Sequence, residues 1–172
     1  MKIACAFDHA GFPLKPIVLE TLASGRALDR LTLESARAHP KSFLGRRLAK
    51  GDEITGHDAV EGAREGDVHC QHVIRILGER LGIGIANAIN TFDPLEVVIG
   101  GGVSRAGALL VEPAREAAYR HVVPGLGAKT TIRIARHGPR AGVLGAALLA
   151  AQEYAEDTKR DVQGAITSGP VT

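Results

Sequence analysis

A short apolar run followed by three consecutive glycines constrains the fold of this chain more than any other stretch. Residues 95–99 are typical of a buried strand, because four of the five are apolar and three are β-branched. Gly100, Gly101 and Gly102 follow, and then Ser104, whose hydroxyl can cap the next helix. Glycines in a strand-to-helix turn permit a positive φ and let a ligand approach the bare backbone. The first N–H groups of the next helix suit phosphate or ribose oxygens, and an ordinary tight turn is the alternative interpretation.

Composition indicates a single-domain protein of the cytoplasm. The 172 residues suffice for one hydrophobic core, and the net charge of +2 with scattered basic residues indicates no nucleic-acid or membrane surface. Tryptophan is absent, which argues against platforms for stacking bases. Cys5 and Cys70 are far apart, so we interpret them as free thiols and not as a disulfide or a zinc site. The sequence predicts no membrane span and no signal peptide.

The residue pattern predicts an α/β domain with a small sheet covered by helices. Strands are predicted at residues 3–7, 96–99 and 130–135, and helices at residues 12–22, 26–38, 55–66, 68–92, 106–122 and 141–155. Residues 41–52 are expected to form an exposed connector with a helical turn, and residues 156–172 a frayed or disordered tail. Gly78, Gly82 and Gly84 each cost up to ~1 kcal/mol inside a helix, so a second backbone is expected to pack closely there. Pro113 is expected to bend or divide its helix.

Five motifs lie in order between Glu20 and Glu153. They occupy residues 19–28, 54–67, 81–94, 97–104 and 141–147, and include ASGRAL, AREGD, LGIGIAN, VVIGGGVS and AGVLGAA. Each motif alone is weak. Together they resemble the carboxy-terminal part of the ROK family of bacterial sugar kinases, the glucokinases in particular.

The resemblance implies part of an actin-like, ribonuclease-H-type kinase lobe that uses ATP and Mg²⁺ to phosphorylate a hexose hydroxyl. It places Gly100, Gly101, Gly102 and Val103 beside the nucleotide, and Glu20 on the sugar. A carboxylate suits that role because it accepts two hydroxyl hydrogen bonds, and a solvated helix carboxylate is the alternative. The resemblance also implies a nucleotide and a hexose as ligands and a homo-oligomer as an option.

Several family motifs have no counterpart in this sequence. They are the glycine-rich phosphate loop, the Asn-Asp pair that holds the catalytic base, the Glu-x-Gly-His motif and the cysteine cluster that binds structural zinc. No residue is therefore assigned as catalytic or as a metal ligand, and no zinc is expected. We expect a fragment of an ATP-dependent hexose kinase that lacks its catalytic base.

The first fifteen residues contain Asp8-His9-Ala10-Gly11-Phe12 after an apolar strand. This start resembles ribose-5-phosphate isomerase of the B type, in which the Asp-His pair helps to bind and open a sugar phosphate. The resemblance nominates Asp8 and His9 as sugar-phosphate ligands, and a structural strand-end turn is the alternative. The catalytic cysteine of that family is not found beside residues 81–85, so no isomerase activity is expected.

The two resemblances predict three segments: an isomerase-like start at 1–22, a partial kinase lobe at 23–155 and the tail at 156–172. The chain looks like an in-frame fusion, with its first strand predicted to pair with residues 97–99. A sugar-phosphate isomerase and a non-catalytic nucleotide-binding or dimerising remnant are the alternative functions. His69 and His72 lack a third metal ligand, and Arg105 is interpreted as a surface residue that can also touch a nucleotide phosphate.

Overall fold

The computed structural model describes residues 2–5 and 23–167, with side chains described at 23–140 and 142–156. Three strands are present in these ranges: β1 (Lys2–Cys5), β2 (Glu96–Ile99) and β3 (Thr131–Ile134). The helices are α1 (Gly25–Ala38), α2 (Phe43–Ala49), α3 (Gly56–Arg64), α4 (Val68–Phe92), α5 (Ala108–His121) and α6 (Ala141–Thr167). Two 3₁₀ turns, Gly102–Ala106 and Gly138–Arg140, precede α5 and α6. The predicted α/β class is confirmed.

The sheet is parallel, in the order β1-β2-β3. Lys2 pairs with Glu96, and Glu96 pairs in turn with Thr131. The predicted pairing of the first strand with residues 97–99 is therefore confirmed over residues 3–5. Because the strands are parallel, their carboxyl ends share one edge of the sheet, and the triple glycine leaves that edge from the middle strand.

Polar side chains fix where the helices begin. The Ser24 hydroxyl accepts the N–H of Ala27 at 3.3 Å, and the Ser42 hydroxyl accepts the N–H of Gly45 at 3.1 Å. At the start of α3, Asp58 Oδ2 accepts both the Thr55 N–H at 2.8 Å and the Thr55 hydroxyl at 2.9 Å. The helix predicted over residues 55–66 thus begins where expected, with Thr55 as its N-cap.

Helix α2 corrects one expectation. Residues 41–52 were expected to form an exposed connector with one helical turn, but the structure places a seven-residue helix there, with Leu44 fully buried. The basic residues of this segment are mostly exposed, while Leu44 joins the core between α1 and α4. One buried leucine is too sparse a pattern for periodicity to reveal a short helix.

Helix α4 forms the centre of the core. Its buried face carries Val73, Ile74, Leu77, Leu81, Ile85 and Ile89. These side chains belong to the same hydrophobic cluster as Val97, Ile99 and Ile132 of the sheet. A side chain of this size contributes about 1.5–3 kcal/mol when it is fully buried. The predicted helix over residues 68–92 is confirmed at both ends.

Close packing of α4 on α5 explains two of the glycines in α4. A Cβ atom on Gly78 would lie 2.7 Å from Pro113 Cγ, and a Cβ atom on Gly82 would lie 2.6 Å from Ala117 Cβ. The expected close packing of a second backbone against this helix is thus confirmed at Gly78 and Gly82. Helix α5 is one helix across Pro113, so it is not divided there.

Helix α6 extends to Thr167, past the end predicted at residue 155. Every side chain described in it, from residue 142 to residue 156, is exposed. In the described part of the chain, no helix has both the length and the apolar character that crossing a membrane requires.

Candidate functional site

The turn after β2 presents bare backbone at the edge of the sheet. Gly100 is buried, Gly101 is half-buried and Gly102 is exposed. Gly101 has φ 80° and ψ −175°, a conformation that essentially only glycine adopts. A Cβ atom placed on Gly101 or Gly102 would meet no atom within 4 Å, so the space beside both residues is open. The turn therefore combines a backbone that requires glycine with access for a ligand.

Ser104 holds this turn in shape instead of capping α5. Its hydroxyl donates to the carbonyl of Gly101 at 2.7 Å, and its backbone N–H donates to the same oxygen at 3.2 Å. Gly107, with φ 64°, precedes α5 in the capping position. The expected Ser104 cap of the long helix is therefore wrong, because a 3₁₀ turn intervenes and uses the hydroxyl.

Val103 lies between the open glycines and the core. Its side chain is only 5% exposed and belongs to the hydrophobic core cluster. Within this turn, Val103 can offer a ligand only its backbone, whereas Gly101 and Gly102 offer backbone with nothing in front of it. The anchoring of Val103 also fixes the position of the glycines before it.

A depression of about 370 Å³ lies beside the same 3₁₀ turn. It is lined by His57, Val60, Glu61, Arg64, Glu65 and Arg105. Arg64 Nη2 donates to the carbonyl oxygen of Arg105 at 2.6 Å, which ties the end of α3 to the turn after the glycines. The depression thus carries two arginines and two glutamates beside the 3₁₀ turn that contains Arg105.

An ion-pair network fixes α3 on its other side. Arg47 Nη1 lies 2.9 Å from Asp58 Oδ1 and 3.2 Å from Glu61 Oε2, and Arg47 Nε lies 3.4 Å from Asp52 Oδ2. These carboxylates, Asp58 foremost, raise the pKa of Arg47. Because α2 and α3 are tied together in this way, Glu61 is held at the rim of the depression.

A second depression of about 420 Å³ is found elsewhere on the surface. It is mostly apolar and is lined by Tyr119, Val122, Val123, Pro124, Leu126, Gly127 and Ala128. Neither depression is lined by the triple glycine itself. We regard the smaller one as the relevant neighbour of the glycines, because Arg105 belongs to the 3₁₀ turn that follows them.

His39, His69 and His72 contact other side chains. The rings of His39 and His69 stack with centroids 3.9 Å apart, and His72 Nδ1 lies 3.1 Å from Arg75 Nη2. Across residues 23–140 and 142–156, no three His, Cys, Asp or Glu side chains form a group that could hold a metal ion.

The structure places only part of the predicted site. Gly100, Gly101, Gly102 and Val103 lie together at the edge of the sheet, whereas Glu20, Asp8 and His9 lie outside the described residues. Sequence reasoning missed His57, Glu61, Arg64 and Glu65 as neighbours of Arg105. Arg64 and Arg105 are 41 residues apart in the chain, so no local pattern signals their contact.

Comparisons with known proteins identify the family of the chain. The ROK family matches residues 15–153. A glucokinase of Halalkalibacterium halodurans is 33% identical over 135 residues, which are 78% of this chain and 41% of that protein. A crystal structure of a ROK family glucokinase from Streptomyces griseus in complex with glucose and AMPPNP matches with a TM-score of 0.70 and 36% identity. That match covers 77% of this chain and 44% of the other.

The family also includes transcriptional regulators. The DNA-binding transcriptional dual regulator NagC of Escherichia coli is 33% identical over 98 residues, which are 57% of this chain and 23% of that protein. The chain spans about two fifths of the length of the glucokinases that it matches. The structural neighbours include ROK sugar kinases of the actin-like ATPase fold and a ROK family transcriptional regulator, which confirms the predicted fold class of a partial actin-like lobe. By its match over most of its length, the chain belongs to the ROK family.

Proposed function

We propose that this chain forms the nucleotide-binding wall of an ATP-dependent hexose kinase. One observation carries the proposal: the middle strand of the sheet ends in open glycine backbone, with Gly101 in a conformation reserved for glycine. Ligands of open α/β sheets bind outside the carboxyl ends of the strands, which is where this turn lies. The glucokinase relatives and the complex of one such kinase with glucose and AMPPNP support ATP and a hexose as ligands.

The roles of the site residues follow from their positions. The backbone of Gly100, Gly101 and Gly102 binds the phosphate groups of ATP, and Val103 anchors the turn from the core. Arg105 lies close enough along the chain to add positive charge near the phosphates. Mg²⁺ would be bound with the nucleotide and would neutralise charge on its phosphate groups. Glu20 binds the sugar hydroxyls in this proposal, as the family resemblance suggests.

Catalysis is a separate question from binding. Phosphoryl transfer depends on positioning and on charge stabilisation around the γ-phosphate, together with a group that accepts the hydroxyl proton. The sequence printed here has no counterpart of the Asn-Asp pair of the family. We therefore propose that this chain binds ATP without phosphorylating a hexose.

Nucleotide binding is tested by thermal-shift titration with ATP and Mg²⁺. A ligand that binds only the folded state raises its stability by about 2.7 kcal/mol at a hundred times its dissociation constant. Gly102→Val adds a side chain in the open space where the phosphates are placed, and we expect at least tenfold weaker binding. Gly25→Val is the matched control, because Gly25 also has no atom within 4 Å of its Cβ position. No shift for the unmodified chain, or equal shifts for both variants, would contradict the proposal.

Activity assays separate the alternatives. Glucose phosphorylation and ribose-5-phosphate isomerisation are both expected to be absent. Sustained glucose phosphorylation would show that a catalytic base is present. Isomerisation that Asp8→Asn or His9→Ala abolishes would instead support the isomerase resemblance of the first residues.

A sugar-binding regulator core is the second candidate, because the chain also matches NagC over more than half of its length. In that case a sugar would raise the melting temperature without ATP, and ATP would have no effect. The prediction that the chain binds no nucleic acid is tested in the same protein by electrophoretic mobility shift. Cytoplasmic location likewise stays a prediction of the sequence.

A further inference from the structure

Strand β3 is an edge strand: within the described ranges it has β2 on one side and no strand on the other. The N–H groups of Thr131 and Ala135 donate toward β2, at 3.0 and 2.8 Å. Alternate residues of a strand direct their hydrogen-bonding groups to the same edge. The carbonyl oxygens of Thr130, Ile132 and Ile134 therefore face the outer edge. A row of such groups is a template on which another extended chain can add as a strand.

Side chains of α5 bind the first two of these oxygens. The Tyr119 hydroxyl donates to the carbonyl oxygen of Thr130 at 2.7 Å, and Arg115 Nη2 donates to that of Ile132 at 2.9 Å. The two donors are four residues apart on the helix, which is about 6 Å along its axis. Alternate residues of a strand are separated by roughly 6.6 Å. One face of α5 is thus in register with the outward carbonyl groups of β3.

The two donors occupy the positions that a guest strand needs. A neighbouring strand lies about 4.8 Å away, and its N–H nitrogens lie about 2.9 Å from the carbonyl oxygens that accept them. Tyr119 Oη and Arg115 Nη2 lie at this distance from their oxygens. A carbonyl oxygen can accept a second hydrogen bond, but the phenol ring and the guanidinium group stand where the guest backbone would run.

Ion pairs hold the arginines at this edge in place. Arg115 Nη1 lies 2.6 Å from Glu112 Oε2, one turn earlier on α5. Arg133 Nη1 donates to the carbonyl oxygen of Ile134 at 3.1 Å, while its Nε atom donates to Glu96 Oε1 at 2.7 Å. Charged side chains at the edge of a sheet oppose the addition of a further strand.

We propose that Tyr119 and Arg115 close the outer edge of β3 to strand addition by another extended polypeptide. The same hydrogen bonds attach α5 to β3, and a purely structural role predicts only a loss of stability when they are removed. Closure of the edge predicts, in addition, new β-pairing at β3. The proposal is independent of nucleotide binding.

Thioflavin T fluorescence at room temperature and neutral pH tests the proposal. The double variant Arg115→Ala/Tyr119→Ala is expected to form intermolecular β-structure at least tenfold faster than the unmodified chain, because each copy then offers an open edge to the next. Tyr119 is 45% exposed, so we expect this variant to keep its helix content by circular dichroism. Glu116→Ala/Arg120→Ala removes two exposed side chains at the same spacing on the same helix. This matched control is expected to behave like the unmodified chain.

A proline in β3 separates edge pairing from aggregation through unfolding. The N–H of Ile134 faces the outer edge, where proline removes no bond to β2. Ile134→Pro lowers stability because this side chain packs against the core. Added to the double variant, it is nevertheless expected to bring the rate back to that of the unmodified chain. Hydrogen exchange of the Ile132 N–H, which also faces outward, is expected to slow when the double variant associates.

Two results would overturn the proposal. One is a double variant that associates no faster than its control. The other is a proline variant that associates as fast as the double variant or faster, since unfolding would then be the cause. If the double variant loses its helix content, Tyr119→Phe decides the question, because it removes only the hydroxyl. We expect this variant to associate about threefold faster than the unmodified chain, and an unchanged rate would refute closure by Tyr119.

Discussion

The carboxylate of Asp67 links the starts of two helices, because its Oδ2 atom accepts the backbone N–H of Phe43 in α2 at 3.0 Å. Its Oδ1 atom accepts the N–H groups of His69 at 3.0 Å and Cys70 at 2.9 Å, which caps α4. One side chain thus satisfies donors in the first turns of both helices, at positions where helical backbone has no partner of its own.

Replacing Asp67 by alanine is expected to lower the free energy of unfolding by about 2 kcal/mol. The loss of a helix cap costs about 1 kcal/mol, and the N–H of Phe43 is left without its acceptor. Urea denaturation followed by circular dichroism measures the change. Glu53→Ala removes a carboxylate from an exposed position and is expected to change stability by less than about 0.5 kcal/mol. Equal effects of the two substitutions would contradict the dual role of Asp67.

The same carboxylate is expected to make stability depend on pH. Burial raises the pKa of Asp67, but hydrogen bonds from Cys70, Phe43 and His69 outweigh burial and lower it from 3.8. A lowered pKa in the folded state means that the unfolded state binds more protons in this range. The contribution of the ionised Asp67 side chain to the free energy of unfolding is therefore complete above about pH 4. It is lost as the pH falls through the folded-state pKa. Asp67→Asn lacks this titration, so its stability deficit should shrink between pH 6 and pH 3, and a constant deficit would refute the linkage.

Gly82→Ala is expected to destabilise the fold, although alanine favours helices by about 1 kcal/mol over glycine. The added methyl group would meet the carbonyl oxygen of Ala114 and would lie 2.9 Å from the backbone N of Ala118. Backbone atoms of a packed helix cannot move aside cheaply, so we expect a net loss of about 1–3 kcal/mol, as in overpacked cores. Gly25→Ala, at a helical position with open space, is the control. A stabilised Gly82→Ala protein would show that α4 and α5 are less closely packed.

Cys70 is expected to resist alkylation while the chain is folded. Burial raises the pKa of its thiol from 9.0 to about 12, and a hydrogen bond and the negative charge of Asp67 add to the increase. A shift of about three units lowers the thiolate fraction about a thousandfold, and the thiolate is the reactive form. Iodoacetamide labelling at pH 8, read by peptide mass spectrometry, should modify Cys70 quickly only in urea. Equal rates with and without urea would contradict the burial of this thiol.

The parts of the fold that the sequence predicts are those with repeated signals. The apolar residues of α4 recur at helical spacing over many turns. Strands β2 and β3 are short runs rich in β-branched residues. Helix α2 was predicted only as a helical turn in a connector, because Leu44 is its only fully buried large side chain. The end of α6 was misplaced because residues beyond 155 are polar, and polarity alone does not end a helix.

The candidate site was predictable only where it is continuous in the chain. The triple glycine combines a strand end with three consecutive residues that lack a side chain, so its sequence suffices to mark it. The depression beside it depends on the packing of α3 against the turn that holds Arg105. Contacts between residues so far apart in the chain depend on the tertiary structure. Neither secondary-structure propensity nor the local spacing of residues predicts them.

The pairing of Lys2 with Glu96 has a consequence for how the chain matures during synthesis. The first strand leaves the ribosome long before its neighbour in the sheet exists, and more than ninety residues must be translated before the two can meet. A contact so distant in sequence forms slowly even in a complete chain. Until then, the unpaired edge of β1 is open to other nascent chains or to chaperones. The sheet order therefore leaves β1 without its partner strand until the chain has been made as far as β2.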